Sequence, residues 1–221
     1  MNEFLFFALM LFSFAITLAA ARFGREGLIA ASVAFTIISS VYFVKIASVF
    51  GFVASIGAPI YAGIFLTGKV LADQYGEKAA YRAVKLGYLS LITLVGTGFF
   101  VIAARPAADF ETANAMDRLF RTLPRIVAGA MIAYPISQSL NIFLFRTIER
   151  LTQGKYLWLR NIVATTVAQG VDTVIFVFIG FWGRMEGIGQ FILVYWTLKV
   201  TISVLDTPIV YLARRMTPFE E

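Results

Sequence analysis

The stretch YLWLRNIVATTVAQGVDTVIFVFIGFW, residues 156–182, decides the fold. Its 27 residues include only two charged side chains, Arg160 and Asp172. An α-helix needs about 20 mostly apolar residues to cross the hydrocarbon core of a bilayer. The stretch is therefore predicted to form a membrane-spanning helix.

Six further runs of at least 18 residues are similarly apolar. The sequence therefore predicts an all-α fold, a polytopic transmembrane helix bundle of six to seven membrane helices, in a single transmembrane domain covering residues 1–221. Only a Phe50-Gly51 turn separates the second run from the third, so six helices plus one re-entrant or interfacial segment is the alternative. The runs are Phe4–Ala21, Leu28–Val49, Phe52–Leu71, Val84–Ala104, Ile126–Phe145 and Ile188–Leu212, with Tyr156–Trp182 between the last two.

The composition excludes several classes of protein. Hydrophobic residues make up 59% of the chain, charged residues 14%, and the mean hydropathy is +0.80, which is too apolar for a typical soluble domain. Cysteine and histidine are both absent, which excludes disulfides, thiolate or imidazole metal sites and Ser-His or Cys-His catalytic pairs. The sequence also lacks a P-loop motif. We therefore expect no enzyme activity, no cofactor and no metal.

The basic residues predict an orientation in the membrane. Of the 19 Lys and Arg residues, twelve lie in every second loop, beginning with the loop after the first run, and six lie in the other loops. This count treats Lys69 and Arg160 as loop residues. Cytoplasmic loops are enriched in these residues. We therefore expect the N-terminus outside, the C-terminus inside and a location in the cell inner (plasma) membrane. The basic residues form no stripe, so no nucleic-acid partner is expected.

Two segments near the membrane surface have their own predictions. The first run resembles a signal peptide at Ala19-Ala20-Ala21, but Met1-Asn2-Glu3 carries no basic residue, so a retained helix is expected. The polar stretch Pro106–Pro124 is predicted to form a short amphipathic helix at the outer membrane interface.

Polar residues of the 156–182 run share one helical face. Asn161, Thr165, Gln169 and Asp172 recur at positions i, i+4, i+8 and i+11, and the opposite face carries valines. Such a stripe either joins helices by hydrogen bonds or lines a cavity. Because a carboxylate deep in the membrane is costly, we favour the cavity.

Other runs also carry polar residues at depth. In the last run Lys199 and Asp206 are seven residues apart and therefore on one face. Lys199 is expected to form a buried ion pair with Asp172 or Asp206, or to donate to a ligand. In the fifth run the polar residues of one face are Tyr134, Gln138 and Asn141, whereas the third run ends in Lys69 and Asp73.

Three segments resemble a known family. They are TGKVLADQYGEKAAYRA (67–83), WLRNIVATTVAQGVDTVIFVFIGFWG (158–183) and WTLKVTISVLDTPIVY (196–211). Together they resemble the queuosine precursor transporter family, also described as a vitamin uptake transporter family related to the substrate-binding components of energy-coupling-factor transporters. The departures from the family pattern are Ala164 and Ala168 in place of Ser and Ile162 in place of Asn.

The resemblance implies import of a 7-deazapurine such as preQ0, preQ1 or queuine. From the donors and acceptors of such a base we assign Asp172 or Asp206 to its N–H edge, and Gln169, Asn161 and Lys199 to its carbonyl and neighbouring groups. Gln138 would close the site from the facing helix. The family signature also falls on the substrate-binding candidates Asp73 and Thr165 and on Tyr75 and Gly76, and Asn141 shares the face of Gln138.

Alternative functions stay open at this point. They are import of another vitamin-like heterocycle and a structural, non-transport membrane subunit. The expected partners are the small-molecule substrate and the lipid bilayer. A homodimer through small residues (Ala30, Ala31, Ala34, Gly96 and Gly98) is compatible with the sequence. Without an ATP site, accumulation would need trapping, a proton gradient or a separate energising module.

Overall fold

The structure is a computed structural model that describes residues 1–105, 111–122, 124–183 and 188–215. The described residues form eight helices and two short strands, which confirms the predicted all-α membrane bundle. They are α1 (Asn2–Arg22), α2 (Gly24–Tyr42), β1 (Ile46–Val49), β2 (Phe52–Ser55), α3 (Ala58–Tyr75), α4 (Glu77–Ala103), α5 (Glu111–Thr122), α6 (Pro124–Leu151), α7 (Leu157–Phe181) and α8 (Ile188–Arg214).

By length and composition, six of the described helices are apolar enough to cross a membrane. Helix α3, with 18 residues, is not among these six but is the seventh long helix of the bundle. Of its 18 residues, 14 are buried. It packs against α1, α2, α4, α6 and α8. Because neighbouring helices shield α3 from lipid, it can carry polar side chains that a lipid-facing helix could not. The chain is therefore a multi-pass membrane protein built around α3.

Small residues let other helices approach α3 closely. A Cβ atom added at Gly63 would lie 3.0 Å from the ring of Phe35 on α2. On the neighbouring side, the Ser13 hydroxyl of α1 donates to the Pro59 carbonyl at 3.3 Å. Helix α1 is thus packed into the bundle through buried side chains, including Phe6 and Phe14.

The prediction of helix up to Val49 and again from Phe52 is wrong, because residues 46–55 form an antiparallel hairpin. Its turn residues Phe50 and Gly51 have φ angles of 52° and 76°. Left-handed conformations at both turn positions match the twist of a two-residue hairpin and end a helix. The hairpin contacts the start of α1, where the backbone N–H of Phe50 donates to Glu3 at 3.2 Å.

The connections divide the bundle into two ends. The turns α1–α2, α3–α4 and α6–α7 and the C-terminus of α8 lie together at what we call the charged end. Ion pairs join these turns, for example Arg82 to Glu26 at 3.3 Å and Arg150 to Glu77 at 2.5 Å. The N-terminus, the hairpin and the start of α8 lie at the opposite end, which we call the hairpin end.

Helix α5 confirms the predicted amphipathic helix within Pro106–Pro124, although residues 106–110 and 123 lie outside the described part of the chain. It packs on α4, where a Cβ atom at Gly98 would lie 2.7 Å from the ring of Phe120. Gly98 therefore packs against α5 of the same chain. The other small residues proposed for dimer contact include Ala30 and Ala34, which line an open groove between α2 and α4.

Candidate functional site

The polar stripe of α7 faces the interior of the bundle. Asn161, Thr165, Gln169 and Asp172 are at most 2% exposed. The valines of the opposite face are open to the surroundings, with Val163, Val167 and Val174 between 38% and 45% exposed. The face of α7 that the sequence predicts to be polar is therefore the face that meets α3, α6 and α8.

Asp172 is the centre of a cluster of four side chains from four helices, which we call the Asp172 cluster. One carboxylate oxygen accepts hydrogen bonds from the Tyr61 hydroxyl at 2.6 Å and from the Ser137 hydroxyl at 2.8 Å. The other accepts from the Lys199 ammonium group at 2.6 Å. Lys199 also lies 5.1 Å from the centre of the Tyr61 ring and 4.8 Å from that of Tyr195. The predicted buried ion pair of Lys199 therefore forms with Asp172.

A small cavity borders this cluster on the side of the hairpin end. It has a volume of about 30 Å³, room for one or two water molecules. Its polar lining comes from Asp172, Lys199, Tyr61 and the serines 39 and 40, and its apolar lining includes Phe43 and Phe176. The rings of Phe43 and Phe176 meet edge to face at 4.8 Å. The bundle is therefore closed around the Asp172 cluster, and the cavity would have to widen to admit a bicyclic base.

A layer of amides follows Asp172 toward the charged end, and we call it the amide layer. It contains Gln138, Asn141, Thr165 and Gln169, each at most 1% exposed. Thr165 donates to the Asn141 side chain at 3.4 Å. Both polar atoms of Gln138, the Asn141 nitrogen and the Gln169 oxygen have no hydrogen-bond partner among the described residues. An unpaired buried polar group costs about 1–3 kcal/mol, so the layer is suited to a ligand that supplies the missing bonds.

A second ion pair, the Asp206 cluster, lies beyond the amide layer. Asp206 accepts from the Lys69 ammonium group at 2.6 Å and from the Asn161 amide at 2.9 Å, and the same amide nitrogen lies 2.6 Å from the Thr207 hydroxyl. The cluster joins α3, α7 and α8. Asp206 follows Lys199 by seven residues, which places the two clusters about 10 Å apart along α8.

A third cluster, the Asp73 clamp, closes the charged end. Asp73 contacts the guanidinium group of Arg160, and Arg214 donates to it at 2.6 Å. Arg160 is fully buried, with its guanidinium carbon 4.7 Å from the centre of the Phe145 ring and a second ion pair to Glu149. The clamp and the Asp206 cluster therefore link the same three helices, α3, α7 and α8, at two successive depths.

The structure brings most of the predicted site residues into one continuous polar core. Asp172 and Lys199 pair directly, and Gln138, Asn141, Thr165 and Gln169 form the adjoining amide layer. Asn161 and Asp206 belong to the next cluster along the bundle. Asp73 is separate from these, because it lies one turn beyond Lys69 on α3, in the clamp. Gly76, another signature residue, has φ of 82° at the α3–α4 turn.

The sequence interpretation missed several residues of these clusters, among them Tyr61, Lys69, Ser137 and Arg160. Counting Lys69 as a loop residue was wrong, because it lies within α3 with its side chain 0% exposed. Arg160 was also counted as a loop residue, whereas it lies in the first turn of α7. The apolar residues Val70, Leu71 and Ala72 that follow Lys69 are the signal that its helix continues.

Comparison with known proteins places the chain in a family. A family model described as "Putative vitamin uptake transporter" matches residues 55–213, a region that holds the Asp172 cluster, the Asp206 cluster and all of the Asp73 clamp except Arg214. The "Probable queuosine precursor transporter" of Bacillus subtilis (strain 168) is 32% identical over 203 residues, which cover 90% of this chain and 88% of that protein. The "Queuosine precursor transporter" of Escherichia coli (strain K12) is 26% identical over 178 residues, 76% of each chain. No solved structure matches the chain significantly. Because the family model covers well over half of the chain, this chain is a member of the putative vitamin uptake transporter family, and it is similar to the two queuosine precursor transporters.

Proposed function

We propose that this protein imports a queuosine precursor, a 7-deazapurine such as preQ0, preQ1 or queuine, across the cell inner membrane. The observation that carries the proposal is the amide layer beside the Asp172 cluster, where buried polar atoms in the middle of the bundle have no hydrogen-bond partner among the described residues. The names of the two relatives supply the class of cargo.

The chemistry of the polar core suits such a base. A 7-deazaguanine is flat and presents two N–H donors and one carbonyl acceptor on one edge. The Asp172 carboxylate can accept both donors, and the Gln138 amide nitrogen, which has no partner among the described residues, can donate to the carbonyl. The side-chain oxygens of Gln138 and Gln169 can accept from neighbouring N–H groups of the base. The aromatic rings that border the cavity, Phe43 and Phe176, can stack on the faces of the base.

Binding would exchange hydrogen bonds at Asp172. In the structure its oxygens accept from Tyr61, Ser137 and Lys199. The N–H groups of a base would take the place of the two hydroxyl donors, while Lys199 keeps the carboxylate charge balanced. Because donors replace donors, cargo binding costs little desolvation of the carboxylate.

Transport would proceed by alternating access to this midplane site. The cavity lies on the side of the hairpin end, whereas the Asp206 cluster and the Asp73 clamp close the charged end. Cargo would therefore enter from the hairpin end and leave after α3, α7 and α8 separate at the charged end. In this assignment Asn161 and Asp206 line the exit path, and Asp73 acts as a gate residue.

The charged end is proposed to face the cytoplasm. With Lys69 and Arg160 removed from the loop count, the loops of this side still contain ten Lys and Arg residues, against six in the loops of the other side, in line with the enrichment of cytoplasmic loops. Import then runs from the hairpin end to the charged end. A C-terminal reporter active only outside the cytoplasm should be silent, and activity of that reporter would reverse the orientation.

The direct test is uptake of labelled deazapurine by cells that express an Asp172→Ala variant. Uptake should be lost while the variant still inserts into the membrane, and an Asp117→Ala control in α5 should transport normally. Normal uptake by the Asp172→Ala variant would refute the assignment.

A second candidate cargo, another vitamin-like heterocycle, is favoured only by the description of the family. Thermal stabilisation of the purified protein by a panel of deazapurines and vitamins separates the two, because a ligand stabilises in proportion to the logarithm of its concentration over Kd. A structural subunit without cargo would be stabilised by neither group.

A further inference from the structure

A long groove between α2 and α4 is open to the surroundings of the bundle. It is lined by side chains from Glu26 to Ile37 on α2 and from Leu86 to Thr97 on α4. Its volume is about 810 Å³, whereas the cavity beside Asp172 has a volume of about 30 Å³. The groove can therefore admit a ligand without any rearrangement of the helices.

The length of the groove matches one leaflet of a bilayer. Residues 26–37 of α2 and 86–97 of α4 each rise about 16 Å along the helix axis. The hydrocarbon core of a bilayer is about 30 Å thick, so one leaflet contributes about 15 Å. A membrane-spanning helix of another protein would cross both leaflets, whereas the acyl chains of a phospholipid occupy one. The groove therefore fits an acyl chain better than a whole helix.

The walls of the groove are suited to hydrocarbon. Its hydroxyl groups, those of Ser90, Thr93 and Thr97, donate to carbonyls of their own helix at 2.6, 2.9 and 2.7 Å. The facing wall on α2 is aliphatic and includes the exposed side chains of Ala30 and Ala34. The hydroxyl donors are thus already used within α4, and the small side chains of α2 leave room for a chain of methylene groups.

The mouth of the groove at the charged end has an excess of positive charge. The Glu26 carboxylate pairs with Arg25 at 2.8 Å and with Arg82 at 3.3 Å, and all three side chains are at least half exposed. Lys85 is also exposed, and its spacing from Arg82 and from Leu89 places it on the face of α4 that continues into the groove. Three cations therefore share one carboxylate where the groove opens.

A phospholipid with a net negative headgroup complements both parts of this surface. Basic pockets between membrane helices bind acidic headgroups, and a guanidinium group can donate two hydrogen bonds to one phosphate. A zwitterionic lipid offers the same acyl chain, but its ammonium group offsets the charge of its phosphate. The charged mouth should therefore distinguish two lipids that the apolar walls cannot.

We propose that the groove between α2 and α4 is a binding site for one anionic phospholipid. The acyl chain lies against Ala30 and Ala34, and the phosphate lies at Arg82 and Lys85. The inference goes beyond the proposed function, because neither the cargo nor the direction of transport enters it.

The test compares phosphatidylglycerol with phosphatidylcholine of the same acyl chains, each added to the purified full chain in detergent micelles. Native mass spectrometry counts the bound lipids, and thermal unfolding measures the stabilisation. One phosphatidylglycerol per chain should be retained, and it should raise Tm by about 5 °C at about 100 times its Kd. Phosphatidylcholine should bind at least about tenfold more weakly.

Variants separate the headgroup contacts from the groove. Arg82→Gln/Lys85→Gln should weaken phosphatidylglycerol binding about 30-fold and leave phosphatidylcholine binding unchanged. Ala34→Phe fills the groove and should weaken the binding of both lipids. The matched control is Lys155→Gln/Arg215→Gln, which removes two exposed cations from other parts of the charged end and should leave both affinities unchanged.

Several outcomes would overturn the proposal. They are no retained lipid in the wild type, equal binding of the two lipids, and undiminished phosphatidylglycerol binding by the Arg82→Gln/Lys85→Gln variant. A dimer that forms without lipid and is lost in Ala34→Phe would assign the groove to a second copy of the chain instead. If the double variant does not fold, the lipid preference of the wild type and the loss of binding in Ala34→Phe decide.

Discussion

Replacing Lys69 with methionine should destabilise the protein because it leaves Asp206 as an unpaired carboxylate in the middle of the bundle. The pair is 2.6 Å long, with the lysine and aspartate side chains 0% and 2% exposed. Breaking a buried pair by removing one partner typically costs about 3–5 kcal/mol. Asp206→Leu leaves Lys69 unpaired and should cost a similar amount.

The double variant Lys69→Met/Asp206→Leu removes both charges and leaves neither unpaired, so its stability should be higher than the sum of the two single losses predicts. Its remaining cost comes from the Asn161 amide, which loses the carboxylate acceptor at 2.9 Å. Because the same nitrogen keeps the Thr207 hydroxyl at 2.6 Å, the lost bond costs no more than about 1–3 kcal/mol. The loss in the double variant should therefore be smaller than the sum of the single losses by at least about 3 kcal/mol.

The assay is reversible unfolding in mixed micelles, followed by tryptophan fluorescence, for the four members of the cycle. Lys45→Met is the matched control, because this lysine is exposed at the hairpin end, and its free energy of unfolding should stay within about 0.5 kcal/mol of the wild type. Additive losses, or a Lys69→Met variant as stable as the control, would show that the buried pair does not hold α3 to α8.

Three further predictions concern packing, the amide layer and the exit gate. Gly87→Ala should lower the free energy of unfolding by about 1–3 kcal/mol, because its Cβ would lie 2.4 Å from a tyrosine hydroxyl of α6. Gly96→Ala on the same helix meets no atom within 4 Å and should raise the free energy of unfolding by up to about 1 kcal/mol. Unfolding measurements compare the two variants. Gln138→Leu removes two buried polar atoms that have no partner among the described residues, so it should stabilise the protein in the absence of cargo and weaken cargo uptake. A variant that is destabilised yet transports normally would contradict a ligand role. The Gln74 amide donates to the Ala213 carbonyl at 2.7 Å, so a Gln74→Cys/Ala213→Cys pair in this cysteine-free chain should stop uptake when oxidised and recover when reduced; undiminished uptake by the oxidised pair would mean that the charged end need not open.

The class of fold could be predicted from the sequence because the bilayer imposes a simple rule. Each spanning helix needs about 20 apolar residues, and long apolar runs are visible without knowledge of packing. Hydropathy alone gave the wrong prediction at residues 46–55, because this segment is as apolar as the end of a membrane helix. There the left-handed Phe50 and Gly51 turn pairs two short strands against α1, a local geometry that hydropathy does not encode.

The sequence alone determined which face of each helix is polar, because the 3.6-residue period fixes the positions of side chains around one helix. Asn161, Thr165, Gln169 and Asp172 form one stripe by their spacing alone, and that stripe faces inward.

Only the tertiary structure decided which partners meet. Lys199 lies on the face of Asp206, yet it pairs with Asp172 of α7, while Asp206 pairs with Lys69 of α3. The choice depends on the relative depth and rotation of neighbouring helices, which result from packing among all of them rather than from the period of any one helix. For the same reason the buried position of Arg160 in the clamp depends on the placement of α3 and α8 beside α7.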